Sequence, residues 1–440
     1  MAMIVKNNMQ ALNTLNTLNS NTNALTNSLK KVSSGMKINS AQDDASGYAI
    51  SERMRVQIRS LDQAKANTNS GNSLLKVAEG AVSSTVDILK TLKEKVINAA
   101  NDTNTDEDRA TIQKELNQSI DQINDNASVT FNGKFLVDGT HNKKTTATTT
   151  ALTNQSLSTD TAADTAISAL KNRNGDSLNI QSTDTVTISY TKNGTTYTCS
   201  MDVGTLKLEE LFAKATKENG DTFDDDLDFE KYDSTIADKD GSGNVVKTAS
   251  GQNAVTVHAA ESGIGGQIAG LSISITDNQG NARKAANSAL DAFGETLRAV
   301  NDSADNSIHL QIGVKANQTI NVGMTDMRAI ALGLQGKNGE TLNVGTREKA
   351  NAAITVLDNA IQKALDQQTS IGAAESRLDY TAANLTTASE NVTNAESTIR
   401  DADMAKEMTE YTKNNVLMQA AQSMLAQANQ NSSNVLSLLQ

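Results

Sequence analysis

The chain has no proline, no tryptophan, one cysteine and three histidines in 440 residues. Without proline, no helix is kinked or stopped by a missing N–H and a fixed φ, so very long uninterrupted helices are permitted. A single thiol, Cys199, excludes an intramolecular disulfide, a multi-cysteine zinc site and an iron–sulfur cluster. Aromatic residues make up 3% of the chain, less ring area than a globular enzyme core normally uses. No run approaches about 18 apolar residues, so no transmembrane helix and no membrane insertion is expected. The start, MAMIVKNNMQ, lacks the apolar core of a secretory leader, which predicts a cytosolic protein or one exported without a cleaved signal. Acids outnumber bases by 51 to 39, and the charge of −12 argues against a nucleic-acid binder, which needs a basic face.

What is present is unevenly spread. Length alone suggests about three domains at roughly 150 residues each. Of 26 glycines, 21 lie between Gly133 and Gly345, and nine of the twelve aromatics lie between Phe131 and Phe293. The flanks, roughly 1–130 and 346–440, are poor in breakers and rich in Ala, Leu, Asn, Gln and Ser. They read as helical rods around a globular middle.

Both rods carry a helical repeat. Leu75, Ala78, Val82, Thr85, Leu89, Leu92, Val96 and Ala99 keep a 3,4 spacing that places one stripe on one face. Leu357, Ala364, Ile371, Leu378, Leu385, Val392 and Ile399 recur every seven residues, with Ala374, Thr381, Ala388, Ala395 and Ala402 three residues after the last five. Large residues at one seam position and small ones at the other suit close helix packing. A helical bundle core would give the same period, but the run from 346 to 402 exceeds an ordinary globular helix of about 8–20 residues. At the extreme ends, residues 5–33 carry Leu12, Leu15, Leu18, Leu25, Leu29 and Val32, and residues 404–440 carry Met404, Met408, Tyr411, Leu417, Met418, Met424, Leu425, Val435, Leu438 and Leu439. Each stripe faces polar but nearly uncharged Asn and Gln. Neither can bury its apolar side alone, which predicts coupled folding and assembly at both termini.

The middle alternates. Val186, Ile188 and Tyr190, then Asn193-Gly194, then Tyr197, Cys199 and Met201 predict a hairpin with Cys199 on the apolar face, a buried and inert thiol. A short helix is expected around Leu206–Ala215, and a second hairpin where Leu310 and Ile312 face Ile320 and Val322 across 315–318. The fold class is therefore mainly α: long helical segments at both termini that pack either against each other, as a long antiparallel helical rod or coiled coil, or against a neighbouring copy, with a β-rich α+β insert between them.

No catalytic constellation emerges. Residues 217–240 hold ten acids and three bases, and Asp238-Lys239-Asp240-Gly241-Ser242-Gly243 opens like a calcium loop. Its twelfth position, which should be a bidentate Glu, is Ala249, so a solvated hairpin turn is expected instead. Asp224-Asp225-Asp226 reads as a charged surface run. His141, His258 and His309 show no ligand spacing, and Gly263-Ile264-Gly265-Gly266 lacks the Lys and Ser/Thr of a phosphate loop and reads as a flexible turn. No cofactor and no metal is expected. The insert's Ser and Thr residues, Thr145–Thr150 for example, are candidate O-glycan carriers, with a plain hydrophilic loop as the alternative.

Several separate stretches are recognisable. The loop after the first helix reads Ser40-Ala41-Gln42-Asp43-Asp44-Ala45-Ser46-Gly47, and the C-terminal rod reads Ala395-Glu396-Ser397-Thr398-Ile399-Arg400-Asp401-Ala402-Asp403-Met404-Ala405. With the start Ile4-Val5-Lys6-Asn7-Asn8 and the ending Val435-Leu436-Ser437-Leu438-Leu439, the chain closely resembles bacterial flagellin over about 1–138 and 308–440. Residues 139–307 show no family pattern, as expected of a variable insert.

The resemblance implies a non-enzymatic subunit of the extracellular flagellar filament. Residues 1–45 with 396–440 would form the terminal coiled-coil core, 46–138 with 308–395 a helical rod domain with a β-hairpin, and 139–307 the surface insert. The residues expected to pack the filament core are Leu12, Leu15, Leu25, Leu29, Met418, Leu425, Val435 and Leu438. Implied partners are further copies of the chain, a filament cap protein, the hook–filament junction protein and a secretion chaperone on the C-terminal stripe, with export of the unfolded chain through the hollow flagellum. The segment recognised by the mammalian flagellin-sensing Toll-like receptor corresponds to Leu89–Asn98 with Glu115 opposite, a candidate face of Leu89, Thr91, Lys93, Glu94, Lys95 and Glu115. Stimulatory members carry Arg and Leu where Thr91 and Lys95 stand. Losing a planar multi-donor group and gaining a charge predicts weakened activation. The alternatives are a hook–filament junction protein or related axial component, or an insert that carries an adhesin.

Overall fold

In the computed structural model, which describes residues 8–218, 227–228, 234–237 and 239–437, the proline-free flanks are helical almost throughout. In chain order the helices are α1 (Met9–Ser34), α2 (Ala45–Ala99), α3 (Asp106–Ala127), α4 (Leu208–Glu218), α5 (Lys284–Leu290), α6 (Arg347–Arg400) and α7 (Met404–Ser437). The strands are β1 (Thr130–Phe131), β2 (Lys134–Phe135), β3 (Ala151–Asn154), β4 (Thr185–Lys192), β5 (Thr195–Asp202), β6 (Leu227–Asp228), β7 (Thr235–Ala237), β8 (Val246–Lys247), β9 (Val255–Ala259), β10 (Ile268–Thr276), β11 (Phe293–Leu297), β12 (Ile308–Gln311) and β13 (Thr319–Val322). The chain divides into two compact units, one of residues 1–68, 311–318 and 380–440, the other of residues 69–310 and 319–379.

In the first unit the two chain ends meet. Asn8 caps α1 by accepting from the Ala11 N–H at 2.9 Å, and the helix stops at Gly35, whose φ of 70° costs a residue without Cβ nothing. Helix α7 runs antiparallel beside it. Side-chain amides tie the pair: Asn8 donates to the Ala428 carbonyl at 3.3 Å, Asn21 to the Leu417 carbonyl at 3.2 Å and Asn414 to Ser28 Oγ at 3.0 Å. A Lys31–Glu407 ion pair at 3.5 Å adds to them. Asparagines that look merely polar in sequence thus help to join the two helices.

In the second unit all eight stripe residues of α2, from Leu75 to Ala99, are buried. Helix α3 returns antiparallel, started by a Thr105/Asp108 capping box and held by Asn126 Nδ2 on Ser84 Oγ at 3.1 Å. Arg109 folds back onto the Ala99 and Asn101 carbonyls at 3.0 and 3.1 Å. Along α6, Leu357, Ala364, Ile371 and Leu378 are fully buried, while Leu385, Val392 and Ile399 are half-buried. Of the small seam residues Ala395 is exposed and the others are half-buried, so the large positions carry most of the packing.

The insert's sheets are antiparallel, one of order β10-β4-β5 and one of order β11-β3-β9-β6. The expected hairpin turns at Asn193 and Gly194, both left-handed at φ 51° and 73°, and Cys199 is buried. Helix α4 starts two residues later than expected and extends to Glu218. The second hairpin forms from β12 and β13, but β12 ends at Gln311, and Ile312 closes the loop by donating to the Gln318 carbonyl at 3.0 Å. Gly263–Gly266, expected as a flexible turn, holds a turn of 3₁₀ helix over Ile264–Gly266, in which a Cβ on Gly266 would strike the Glu261 backbone. Thr148 and Thr150 are buried, with Thr148 Oγ1 donating to the Arg298 carbonyl at 2.6 Å, so those two are not exposed glycan carriers, whereas Thr146 is exposed.

The insert is seated on α6 by a backbone contact. Asn359 Nδ2 donates to the Ala269 carbonyl at 2.8 Å, and a Cβ on Gly270 would lie 2.8 Å from Val356 Cγ2 and 2.9 Å from Val356 N. Gly270→Ala should therefore lower unfolding stability by about 1–3 kcal/mol through overpacking. Urea denaturation of the purified chain measures this, and an unchanged midpoint would mean that β10 can retreat from α6.

Candidate assembly site

Two motifs face each other in the first unit. The Asp43 carboxylate closes the loop after α1, accepting from the backbone N–H groups of Asn39 and Ser40 at 3.0 Å and from Ser40 Oγ at 3.1 Å. Asp44 Oδ1 accepts from the Ser46 and Gly47 N–H groups at 3.0 Å, capping α2. A side chain at Gly47 would collide with Asp44 and the buried Ile38. The donated backbone N–H groups, that of Asn39 for Asp43 and that of Gly47 for Asp44 above all, hold both carboxyls below the usual range.

Arg400, buried at the end of α6, is the hub of this joint. Its Nη1 donates to Glu52 Oε1 at 2.6 Å and its Nε to Met36 Sδ at 3.1 Å, and its guanidinium lies 5.4 Å from the Tyr48 ring centroid. Arg55 Nε donates to Glu396 Oε1 at 3.0 Å beside it. The backbone joins too: Lys37 N–H donates to the Arg400 carbonyl at 2.8 Å and Ala402 N–H to the Gly35 carbonyl at 2.9 Å. Hydrogen bonding from Arg400 lowers the pKa of Glu52. In the sequence Glu396 and Arg400 stand out only as part of the recognisable stretch 395–405, and Met36, Tyr48, Glu52 and Arg55 carry no signal. The available signal was Glu396 and Arg400, four apart on the same helix as the seam.

The α1/α7 pair leaves apolar surface uncovered. Leu25 on α1 and Met418 and Leu425 on α7 are half-buried, and Ala421 is buried. Leu12 and Leu29 are each 50% exposed, Leu15 is also exposed, and on α7 so are Met404, Met408, Leu417 and, at 63%, Met424. Val435 lies in α7 but its side chain is outside the described residues, as is Leu438 altogether.

The six residues on α2 and α3 do not form one exposed face. Leu89 is completely buried in the α2 stripe, a correction to its expected place: it supports the surface from beneath. Thr91, Glu94 and Glu115 are exposed. Lys93 pairs with Asp358, and Lys95 pairs with Glu115 at 3.1 Å.

Among the described residues no three His, Cys, Asp or Glu side chains converge as metal ligands would. The Asp240 carboxylate is occupied by the Ser242 and Asn244 N–H groups, at 2.9 and 2.8 Å, and by Asn244 Nδ2, forming the turn between β7 and β8. Asp238 and Asp224–Asp226 lie outside the described residues. His141 Nδ1 is 3.2 Å from the Asn306 carbonyl and His309 Nδ1 is 2.6 Å from Asn321 Oδ1.

Residues 5–142 match the bacterial flagellin N-terminal helical region, and residues 354–439 match the C-terminal helical region. Similarity extends through the insert: the chain is 35% identical over 430 residues to a flagellin of Clostridium tyrobutyricum, covering 97% of this chain and 99% of that one. The chain belongs to the bacterial flagellin family. A flagellin of Bacillus subtilis (strain 168) is 32% identical over 440 residues, covering 99% and 100% of the two chains. Among solved structures, FliC from Burkholderia pseudomallei aligns at 17% identity and a TM-score of 0.25, covering 70% of this chain and 99% of that chain. As a flagellin the protein is a structural subunit that self-assembles into the flagellar filament for swimming motility, outside the cell, and it is not an enzyme. The full-length flagellin relatives decide against the junction-protein alternative.

The joint of this flagellin should be acid-labile. Asp43, Asp44 and Glu52 titrate below their ordinary values of 3.8, 3.8 and 4.5, so their stabilisation is complete above those values and is lost as pH falls through the lower folded ones. Asp44→Asn keeps a capping side chain but removes the charge. Between about pH 7 and about pH 2.5, wild type should lose more melting temperature than the variant, as followed by circular dichroism. Equal losses would remove Asp44 from the linkage.

Proposed function

We propose that this flagellin builds its filament core from residues 1–45 with 396–440, its rod from 46–138 with 308–395, and its outer surface from 139–307. The observation that carries this reading is the division of apolar residues on the α1/α7 pair. Leu25, Met418 and Leu425 are half-buried on the pair, whereas Leu12, Leu15 and Leu29 stay exposed and are available to neighbouring copies. Val435 and Leu438 continue the stripe in sequence. Fully burying each such side chain contributes about 1.5–3 kcal/mol, which favours assembly over an exposed monomer. Contacts between unlike surfaces that do not close on themselves extend into an open helical fibre.

The same uncovered C-terminal stripe suits a secretion chaperone before assembly, and the growing end suits a cap protein and a junction protein as axial partners. Export of the unfolded chain through the flagellum is favoured by the absence of proline, because no slow isomerisation delays refolding at the tip. On α2 and α3 the surface left to a Toll-like receptor is Thr91, Lys93, Glu94, Lys95 and Glu115, with Leu89 beneath. Both lysines are held in ion pairs there, which supports weakened recognition.

Two outcomes test these assignments. Leu425→Asp should abolish polymerisation while the second unit stays folded, scored by negative-stain microscopy of seeded monomer together with circular dichroism; normal filaments would refute the core assignment. In a receptor reporter assay, the double substitution Thr91→Arg and Lys95→Leu should raise potency by about tenfold or more, equivalent to about 1.4 kcal/mol of binding. A wild-type dose response as strong as that of a stimulatory flagellin would sink the receptor reading.

A further inference from the structure

The seat of the insert on α6 contains charged groups where the packing calls for apolar ones. Phe293 and Leu297 of β11 are buried, and Glu295 between them has a side chain only 3% exposed. The pairing of β11 with β3 slips between Glu295 and Leu297, a bulge of the kind that re-aims a side chain. On the facing helix, Lys363 and Gln367 interrupt the buried run of Val356, Leu357, Ala360, Ala364 and Ile371.

The polar groups are incompletely matched. Glu295 Oε2 accepts from Arg298 Nε at 3.3 Å, but Glu295 Oε1 is buried with no hydrogen-bond partner. Arg298 is shared, its Nη1 donating to the half-exposed Asp366 at 2.8 Å. Lys363 Nζ donates to the Ala331 carbonyl at 2.6 Å and forms no ion pair within 4.0 Å among the described residues. Asp326, the other acid acting on Lys363, is held by Arg328 at 2.6 Å. Gln367 Oε1 accepts from Thr325 Oγ1 at 2.8 Å, while its Nε2 has no partner. The charges bearing on Glu295 are therefore Arg298, which it shares with Asp366, and Lys363 from α6, whose Nζ is taken by the Ala331 carbonyl.

We propose that the seat of β11 on α6 is a proton-operated joint: Glu295 takes up a proton as the joint closes, so mild acidification tightens the hold of the four-stranded sheet on α6. Burial pushes the Glu295 carboxyl above its ordinary value, and the opposing pull of Arg298 and Lys363 does not cancel it. A group raised in the folded state contributes stability that is complete below the unfolded value of 4.5 and is lost as pH rises through the folded value. Lys363, lowered by burial, works in the opposite sense, its contribution growing toward alkaline pH. The two groups set opposite arms of the profile, and a neutral amide at Glu295 isolates the acid arm.

Hydrogen exchange of the full-length monomer between about pH 8 and about pH 5, corrected for intrinsic rates, tests this directly. In wild type, exchange at 293–297 should slow on acidification by up to about tenfold per pH unit relative to 185–192 in β4. Glu295→Gln should exchange slowly there at every pH. The proposal is overturned if wild-type protection at 293–297 is flat or falls on acidification. It is equally overturned if a folded Glu295→Gln variant exchanges faster than wild type at neutral pH, the result expected of an ion pair that needs the charge. The wild-type profile decides the matter even if the variant misfolds.

Discussion

An amphipathic helix can satisfy its apolar side only against something else, and in this flagellin the two helices that meet at the chain ends are each other's first partner but not their last. Helix α1 and helix α7 can cover only the strip along which they touch. Leu25, Met418 and Leu425 fall on or near that strip; Leu12, Leu15, Leu29 and Met424 do not. Charged residues on the remaining faces would have made the pair soluble by itself. The sequence instead supplies Asn, Gln, Ser and Thr, which hydrogen-bond readily to a neighbouring backbone and do not repel a second copy. Asn8 and Asn21 already do this within one chain, and Asn414 reaches the Ser28 hydroxyl in the same way. The same chemistry that joins α1 to α7 is available for joining subunits.

Helices that must be long and straight, yet start and stop at defined places, need end signals other than proline. Carboxylates supply them: Asp44 opens α2, Asp108 completes the box that opens α3, and Asp403 Oδ1 accepts from the Ala405 N–H at 3.0 Å to open α7. Each lies just outside or in the first turn, where a negative charge meets the positive end of the helix. At the joint where α6 hands over to α7 this local device meets a global one. Arg400 gathers Glu52, Met36 and Tyr48 around one guanidinium, so that the loop after α1 and the break after α6 fix each other.

Much of this was legible from residue order because it is local. The 3,4 stripe of α2 was readable in full, and Asn193-Gly194 gave its hairpin, since period and turn chemistry act over a few residues. What escaped were contacts between distant residues. Ala151 pairs with His258 and, in the same sheet, with Leu297, and nothing in the period of a four-residue strand announces either partner. Gln113, Asn117 and Asn124 of α3 hold the backbone or side chains of 329–344, yet read in sequence as an ordinary polar helix face. Leu89 shows the converse difficulty. Likeness placed it on a receptor face, while its own 3,4 spacing assigned it to the core, and the core reading is the one the structure bears out.

The insert is fastened to α6 in two physically different ways. At Gly270 the contact is backbone against side chain and backbone, made possible by a missing Cβ, and it sets how closely β10 can approach. It involves no charge and gives little discrimination beyond size. At Glu295 and Lys363 the contact is polar and fully enclosed, where well-packed hydrophobic residues would often be as stable. A purely apolar seat would accept many sheets in many registers. An enclosed acid reached through a bulge, with a buried lysine on α6 already committed to the Ala331 carbonyl, tolerates fewer arrangements, because a misplaced strand leaves buried polar groups unmatched. Close approach sets the distance between β10 and α6, and any register that strips the buried polar groups of their partners is penalised.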